Sequence, residues 1–144
     1  MKILFVCTGN TCRSCMAEAI FNYLNKSDDI ASSSCGAAVV KNSKASENTV
    51  KTLIDKIGVD ISDRYAVQLT RRHLQEADYV LTMTPGIRKI LMINFPEFQN
   101  KIFTFSEFAG TTDEIEDPYG LDINAYHRTF LLLEKGIKRI LERL

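Results

Sequence analysis

The sequence predicts an α/β fold, a three-layer sandwich in which a parallel sheet carries helices on both faces. Two observations lead there: short apolar runs of strand length recur along the chain, and segments with helical spacing separate them. A third is the polar stretch CTGNTCRS at residues 7–14, directly after the first run. In open α/β sheets, ligands bind outside the carboxyl ends of strands where the strand order reverses, and that stretch is expected there.

The elements follow in order. Residues 2–6 (KILFV) form the first strand, and a helical pattern runs through Met16, Ala17, Ile20, Phe21 and Leu24. A second run of apolar and small residues, broken by Ser and Gly, spans residues 30–40. A helix is expected over residues 45–57, with Val50, Leu53, Ile54 and Ile57 on one face and Gly58 as its stop. ADYVLTMT reads as a buried third strand and KIFTF, near residue 103, as a fourth, with helical spacing in GIRKILMINF between them. The chain closes on a long helix, FLLLEKGIKRILERL, whose stripe of Phe130, Leu133, Ile137, Ile140 and Leu141 belongs to the core. Residues 41–46 and 110–116 are surface loops, and residues 95–98 (FPEF) fit a packed loop better than an apolar patch awaiting a partner.

At 144 residues the chain suits a single domain, 1–144, with one sizeable core. Lys plus Arg and Asp plus Glu both total 18, a balance that argues against a general nucleic-acid or membrane-surface binder and makes any phosphate recognition local. The apolar run at the N-terminus is too short for a signal peptide or a membrane span. Cysteines stand at 7, 12, 15 and 35, a crowding that suits thiol chemistry in a reducing compartment, and a cytoplasmic location is expected. A zinc site built on Cys12 and Cys15 lacks a second ligand pair, because the only histidines, His73 and His127, are not spaced from the cysteines as finger ligands; no metal and no cofactor are expected.

Residues 7–14 match Cys-x5-Arg-Ser/Thr between a strand and a helix N-terminus. A loop of that length can turn its successive N–H groups inward, from Thr8 through Gly9, Asn10, Thr11 and Cys12 to Arg13 and Ser14, and the helix dipole adds positive potential at the same point. At the base of such an anion nest Cys7 is favoured as a thiolate, the attacking form of the sulfur. Gly9 is expected to supply the unusual backbone angles of the loop. Arg13 can make a bidentate contact to two phosphoryl oxygens, and Ser14 can donate to the Cys7 sulfur as it leaves. The nucleotide-binding loop is excluded by spelling, since its Gly-Lys-Ser/Thr ending is absent. The plain alternative is a strand-to-helix turn around a buried cysteine. Phosphate-ester chemistry also needs a general acid, and Asp117, held extended by Pro118, is the candidate, with Tyr119 as an aromatic wall.

VCTGNTCRS near the N-terminus together with the late DPYG resembles the low-molecular-weight protein tyrosine phosphatase family over most of the chain. The resemblance implies a four-stranded parallel sheet flanked by helices, hydrolysis through a phosphocysteine intermediate, and phosphorylated proteins as substrates with inorganic phosphate as product. It makes Cys7 the nucleophile, Arg13 the phosphate binder and Asp117 the acid and base, with Asn10 and Ser34 bracing the loop by hydrogen bonds. Cys12 matches a neighbouring cysteine able to form a reversible disulfide with the nucleophile; a small buried side chain serves equally as a reading. Cys15 stands where relatives usually have proline, Cys35 where they have alanine, and Arg64 where many have histidine.

Thr11 bears on the substrate. Tyrosine-directed members usually carry a bulky aliphatic residue there, whereas the loop CTGNTCRS reads like that of the bacterial protein-arginine phosphatases. A small side chain with a hydroxyl leaves room for a planar guanidinium and offers it an acceptor. MTPG at residues 83–86 points the same way, while Tyr119 stacks on phosphotyrosine as readily as on a guanidinium. The reading leans to protein phosphoarginine, with phosphotyrosine as the alternative. Arsenate reductase is remoter, because that chemistry passes electrons through later cysteines and none follows Cys35. A non-catalytic phosphate-binding module would be expected to lack one of Cys7, Arg13 or Asp117.

Overall fold

The computed structural model describes residues 1–144. Its strands are β1 (Lys2–Cys7), β2 (Ala31–Gly36), β3 (Tyr79–Thr82) and β4 (Ile102–Thr104). The helices are α1 (Arg13–Leu24), α2 (Glu47–Ile57), α3 (Arg71–Glu76), α4 (Pro85–Asn94), α5 (Phe105–Ala109) and α6 (Ile123–Arg143). All strand pairs are parallel and the order is β2-β1-β3-β4, so the chain leaves β1 to one side for β2 and returns to its other side for β3. That reversal makes the carboxyl end of β1 a topological switch point.

The local chemistry explains most elements. β1 buries every residue from Ile3 to Cys7, as a central parallel strand covered on both faces must. β2 is an edge strand of sequence ASSSCG and ends at Gly36, so the small-residue run expected to reach residue 40 turns away there. Ser46 caps α2 through its Oγ, which accepts from the Thr49 N–H, and Gly58 ends it at φ 67°. Thr84 caps α4 with Pro85 in its first turn, and the Asp122 carboxylate caps α6. The last helix thus begins well before residue 130 and presents Phe130, Leu133, Ile137 and Ile140 to the core. KIFTF splits: its strand stops at Thr104, whose hydroxyl caps α5, and Phe105 begins that short helix.

The expected inner face of α2 needs correction. Thr49, Thr52 and Leu53 are buried, whereas Ile54 is 47% exposed. The helix turns Thr49 and Thr52 toward α1 and α6, and the Thr49 hydroxyl is satisfied there by Ser46 Oγ of its own N-cap at 2.7 Å, so a stripe counted from apolar residues alone misplaces the face. Residues 95–98 do pack. Phe95 and Phe98 lie partly buried against the core, with the Arg71 guanidinium over their rings at 5.2 and 5.9 Å.

One group of helices, α1, α2, α5 and α6, packs together on one face of the sheet, while α3 and α4 lie against β1, β3 and β4 on the other. No helix is long and apolar enough to cross a membrane. Helices α5 and α6 approach so closely that a Cβ on Gly136 would overlap the ring of Phe105, itself 1% exposed. Gly136→Ala is therefore expected to lower the unfolding free energy by about 1–2 kcal/mol in a urea titration, overpacking outweighing the ~1 kcal/mol that alanine gains in a helix.

Candidate active site

Cys7 ends β1 and Arg13 opens α1, so the loop between them sits at the switch point with the N-terminus of α1 behind it. The N–H groups of Thr8, Gly9, Thr11 and Cys12 donate to no acceptor within the protein, and these residues line a cleft of about 460 Å³. The left-handed residue of the loop is Asn10, at φ 57°, not Gly9. Gly9 needs no special angle: a Cβ there would meet only Thr11 Oγ1, at 3.8 Å. Asparagine tolerates the conformation when its side chain is bonded locally, and here it is fully engaged. Its N–H donates to Cys7 Sγ at 3.2 Å, and its carboxamide nitrogen donates to Ser14 Oγ at 2.7 Å and Ser34 Oγ at 3.0 Å. Ser14 Oγ lies 2.8 Å from the Cys7 sulfur.

Three supports of this loop escape sequence reading. Arg64 donates to Asn10 Oδ1 at 2.9 Å and to Ser34 Oγ at 2.7 Å. Glu18, one turn after Ser14 on α1, accepts from Ser34 Oγ at 2.7 Å and from Arg64 at 3.3 Å. Arg64 was visible only as a residue standing in place of histidine; nothing in the sequence marks Glu18. Gly36 is the third, because a Cβ on it would lie 2.6 Å from the carbonyl oxygen of Thr8 and 3.0 Å from the Asn10 nitrogen. Only glycine lets β2 end this close to the loop.

Arg13 is 5% exposed and donates through Nη1 to the Ile115 carbonyl at 3.2 Å. Its Nη2 stands 3.6 Å from an Asp117 carboxylate whose side chain is 54% exposed, so that contact adds little stability and leaves the carboxylate movable at the mouth. The other Asp117 oxygen accepts from the Tyr119 N–H at 3.1 Å. Cys7, Thr11, Arg13, Asp117 and Tyr119 thus line one cleft, together with Ala38, Val40 and Ser43, which the sequence did not single out. Tyr119 and Val40 are exposed at its rim. The histidines lie apart from it: His73 Nδ1 accepts from the Thr70 N–H at the start of α3, and His127 sits on α6.

All four thiols are free. The Cys12 thiol donates to Ser46 Oγ at 3.3 Å and lies 3.7 Å from the Tyr126 hydroxyl, whose own ionisation burial pushes up to about 12. Burial raises the Cys35 thiol to about 12 and the Cys15 thiol further still, the Arg64 charge offsetting only part. Both are held as neutral thiols at any physiological pH. In the native protein at pH 8, iodoacetamide is therefore expected to leave Cys15 and Cys35 unmodified by peptide mass spectrometry and to reach them only on denaturation; rapid native labelling of either would overturn their burial.

Residues 2–144 match the family model described as low molecular weight phosphotyrosine protein phosphatase. A protein-arginine-phosphatase of Geobacillus stearothermophilus is 39% identical over 145 residues, covering 99% of this chain and 95% of the relative. A solved low molecular weight protein tyrosine phosphatase from T. tengcongensis is 41% identical, with a TM-score of 0.95 over 100% of this chain and 99% of that one. A solved arginine phosphatase mutant with a phosphorylated active site serine is 33% identical, with a TM-score of 0.93 over 100% of this chain and 95% of that one. With its parallel sheet, its loop at the switch point and this likeness along its whole length, the chain belongs to the low molecular weight phosphotyrosine protein phosphatase family and is a protein phosphatase.

Proposed function

We propose that this single domain, residues 1–144, hydrolyses phosphoarginine in proteins through a phosphocysteine on Cys7. The observation that carries the reading is the convergence of the Cys7 sulfur, the unpartnered loop amides, buried Arg13 and exposed Asp117 on one cleft. The phosphoryl group sits in the nest formed by Thr8 to Ser14, with its equatorial oxygens on the loop N–H groups and the Arg13 guanidinium. The Cys7 thiolate attacks phosphorus in line, the P–N bond breaks, and Asp117 delivers its proton to the departing guanidine nitrogen. Asp117, now a carboxylate, takes a proton from water as that water attacks the phosphocysteine. The S–P bond breaks, inorganic phosphate leaves, and the Ser14 hydroxyl stabilises the released thiolate. Asn10 and Ser34 hold the loop in the shape that both steps use.

Thr11 supports arginine as the side chain acted on, since it lines the cleft with a small hydroxyl where an aliphatic residue would favour a flat ring. The Geobacillus stearothermophilus relative bears that activity in its name. Phosphotyrosine is the second reading, favoured by Tyr119, which is 73% exposed at the rim and free to stack on an aromatic ring. The reading includes a cytoplasmic setting, in keeping with four unpaired thiols, and neither nucleic acid nor membrane as partner.

Phosphate release from a phosphoarginine protein and from a phosphotyrosine peptide tests both readings. Wild type is expected to prefer phosphoarginine, Thr11→Ile to move the preference toward phosphotyrosine, and Asp117→Asn to lose on the order of 10²-fold or more in kcat on either. Preference for phosphotyrosine by wild type and Thr11→Ile alike would replace arginine with tyrosine as the substrate. Phosphate release that survives Cys7→Ser would refute the phosphocysteine mechanism.

A further inference from the structure

The segment between α5 and α6 carries Asp117 without the help of a helix or strand, since residues 111–118 belong to neither. Its centre reads Asp113-Glu114-Ile115-Glu116-Asp117, one apolar side chain among four carboxylates. Carboxylates keep to water unless they are paired, so the side chain able to hold such a stretch against the body is the isoleucine. Ile115 is 3% exposed and joins the core, while Glu114 and Glu116 on either side of it are exposed. Pro118 is the next buried residue, so Asp117 stands exposed between two anchored positions. From Glu114 to Asp117 the Ile115 carbonyl is also the only backbone group bonded outside the segment, and its donor is Arg13 Nη1 at 3.2 Å. The other terminal nitrogen of the same guanidinium, Nη2, is the one that faces Asp117, at 3.6 Å. One buried arginine thus holds residue 115 with one arm and residue 117 with the other.

A phosphoryl group acts differently on the two contacts. Its oxygens compete with Asp117 for Nη2, and an exposed carboxylate loses little by turning to water. The Nη1 bond is buried, and its acceptor is fixed by the isoleucine side chain. We propose that Ile115 is a positioning residue of the phosphatase reaction, a pivot whose buried side chain and Arg13-bound carbonyl keep Asp117 within reach of the leaving atom after the phosphoryl group has displaced it from Arg13. The inference rests on Cys7 being the nucleophile and Asp117 the acid. As the Cys7 sulfur bonds to phosphorus, the bond from phosphorus to the leaving nitrogen or oxygen breaks, its electron pair stays on that atom, and Asp117 supplies the proton. Ile115 is not among the residues lining the catalytic cleft; it acts on where the Asp117 carboxyl stands at that moment. A misplacement of about 1 Å in a reacting group can cost on the order of 10²-fold in rate. The other hold on the segment is more distant: Asp113, bound at its carbonyl by Ser106 Oγ and at its carboxylate by Lys135, lies on the far side of Ile115 from Asp117, and its ion pair is largely solvated.

The test compares kcat/KM for p-nitrophenyl phosphate and for phenyl phosphate, a quantity that reports the step in which the leaving group departs. Nitrophenolate leaves readily without a proton and phenolate does not, so the ratio reads proton delivery whether the natural substrate is phosphoarginine or phosphotyrosine. In Ile115→Ala, kcat/KM for phenyl phosphate is expected to fall about tenfold to a hundredfold, with a loss of less than about threefold for p-nitrophenyl phosphate. Ile115→Val, a methylene shorter, should change the ratio about twofold, and it decides the matter if Ile115→Ala does not fold. Because Ile115 acts through Asp117, Ile115→Ala should add no further discrimination between the esters in an Asp117→Asn background. An equal loss on both esters in a folded variant is the mark of a merely structural role and would overturn the proposal, as would an unchanged ratio or full additional discrimination in the Asp117→Asn background. Failure of the assignments beneath it shows separately, as an Asp117→Asn variant with the wild-type ratio or as phosphate release by Cys7→Ser.

Discussion

The shape of the loop between β1 and α1 depends on one buried carboxamide. Asn10 is 0% exposed and held in the left-handed region at φ 57°, a conformation that costs a non-glycine residue on the order of 1 kcal/mol. The cost is offset because the bend turns its N–H toward the Cys7 sulfur while the side chain reaches the opposite way, into four hydrogen bonds. Those bonds tie the loop to α1 through Ser14, to β2 through Ser34, and to the segment before α3 through Arg64 and Val67. A loop pinned at its middle from three sides keeps its remaining amides facing the cleft, where a phosphoryl group can use them without a reorganisation cost.

Topology brings those three sides together. The parallel register sets Cys7 beside Gly36, so the end of β2 lies directly against the loop that leaves β1. An isolated parallel bridge from Gly36 to Gln68 and the N–H of Gly36 donating to the Val67 carbonyl at 2.8 Å then draw residues 64–68 under the same loop. From the other side, the segment leading to α6 supplies the Ile115 carbonyl that fixes Arg13 and the carboxylate that faces it. A chain with equal numbers of acidic and basic residues thus concentrates positive potential at one point, by burying Arg13 beside unpartnered amides at a helix N-terminus.

The same packing separates the cysteines by role. Cys15 and Cys35 are enclosed in the core beneath the loop, where desolvation keeps them neutral, and they act as small apolar groups. Cys7 meets an amide donor and a hydroxyl within hydrogen-bond reach, at the floor of an open cleft. Four thiols within residues 7–35 therefore occupy different chemical environments, and proximity in sequence does not predict which is reactive.

What the sequence by itself determined is what local pattern can carry. Period and composition marked strands at residues 2–6, 77–84 and 101–105 and helical segments beginning near residues 16, 45 and 86, each overlapping an observed element, and the order of these elements implied the parallel sheet. The spacing Cys7-x5-Arg13-Ser14 and the late Asp117-Pro118 identified the residues that the cleft brings together, because loop length and the restriction before proline are local constraints. The tertiary structure alone decided how those residues are held. The left-handed angle fell on Asn10 instead of Gly9 because distant donors engage that side chain. The roll of α2, with Thr49 and Thr52 inside and Ile54 outside, was set where it meets α1 and α6, and Gly36, Glu18 and Arg64 became supports only once β2, α1 and the segment before α3 met. Such contacts arise between residues tens of positions apart, and no local periodicity encodes which side chains will face one another when the chain closes.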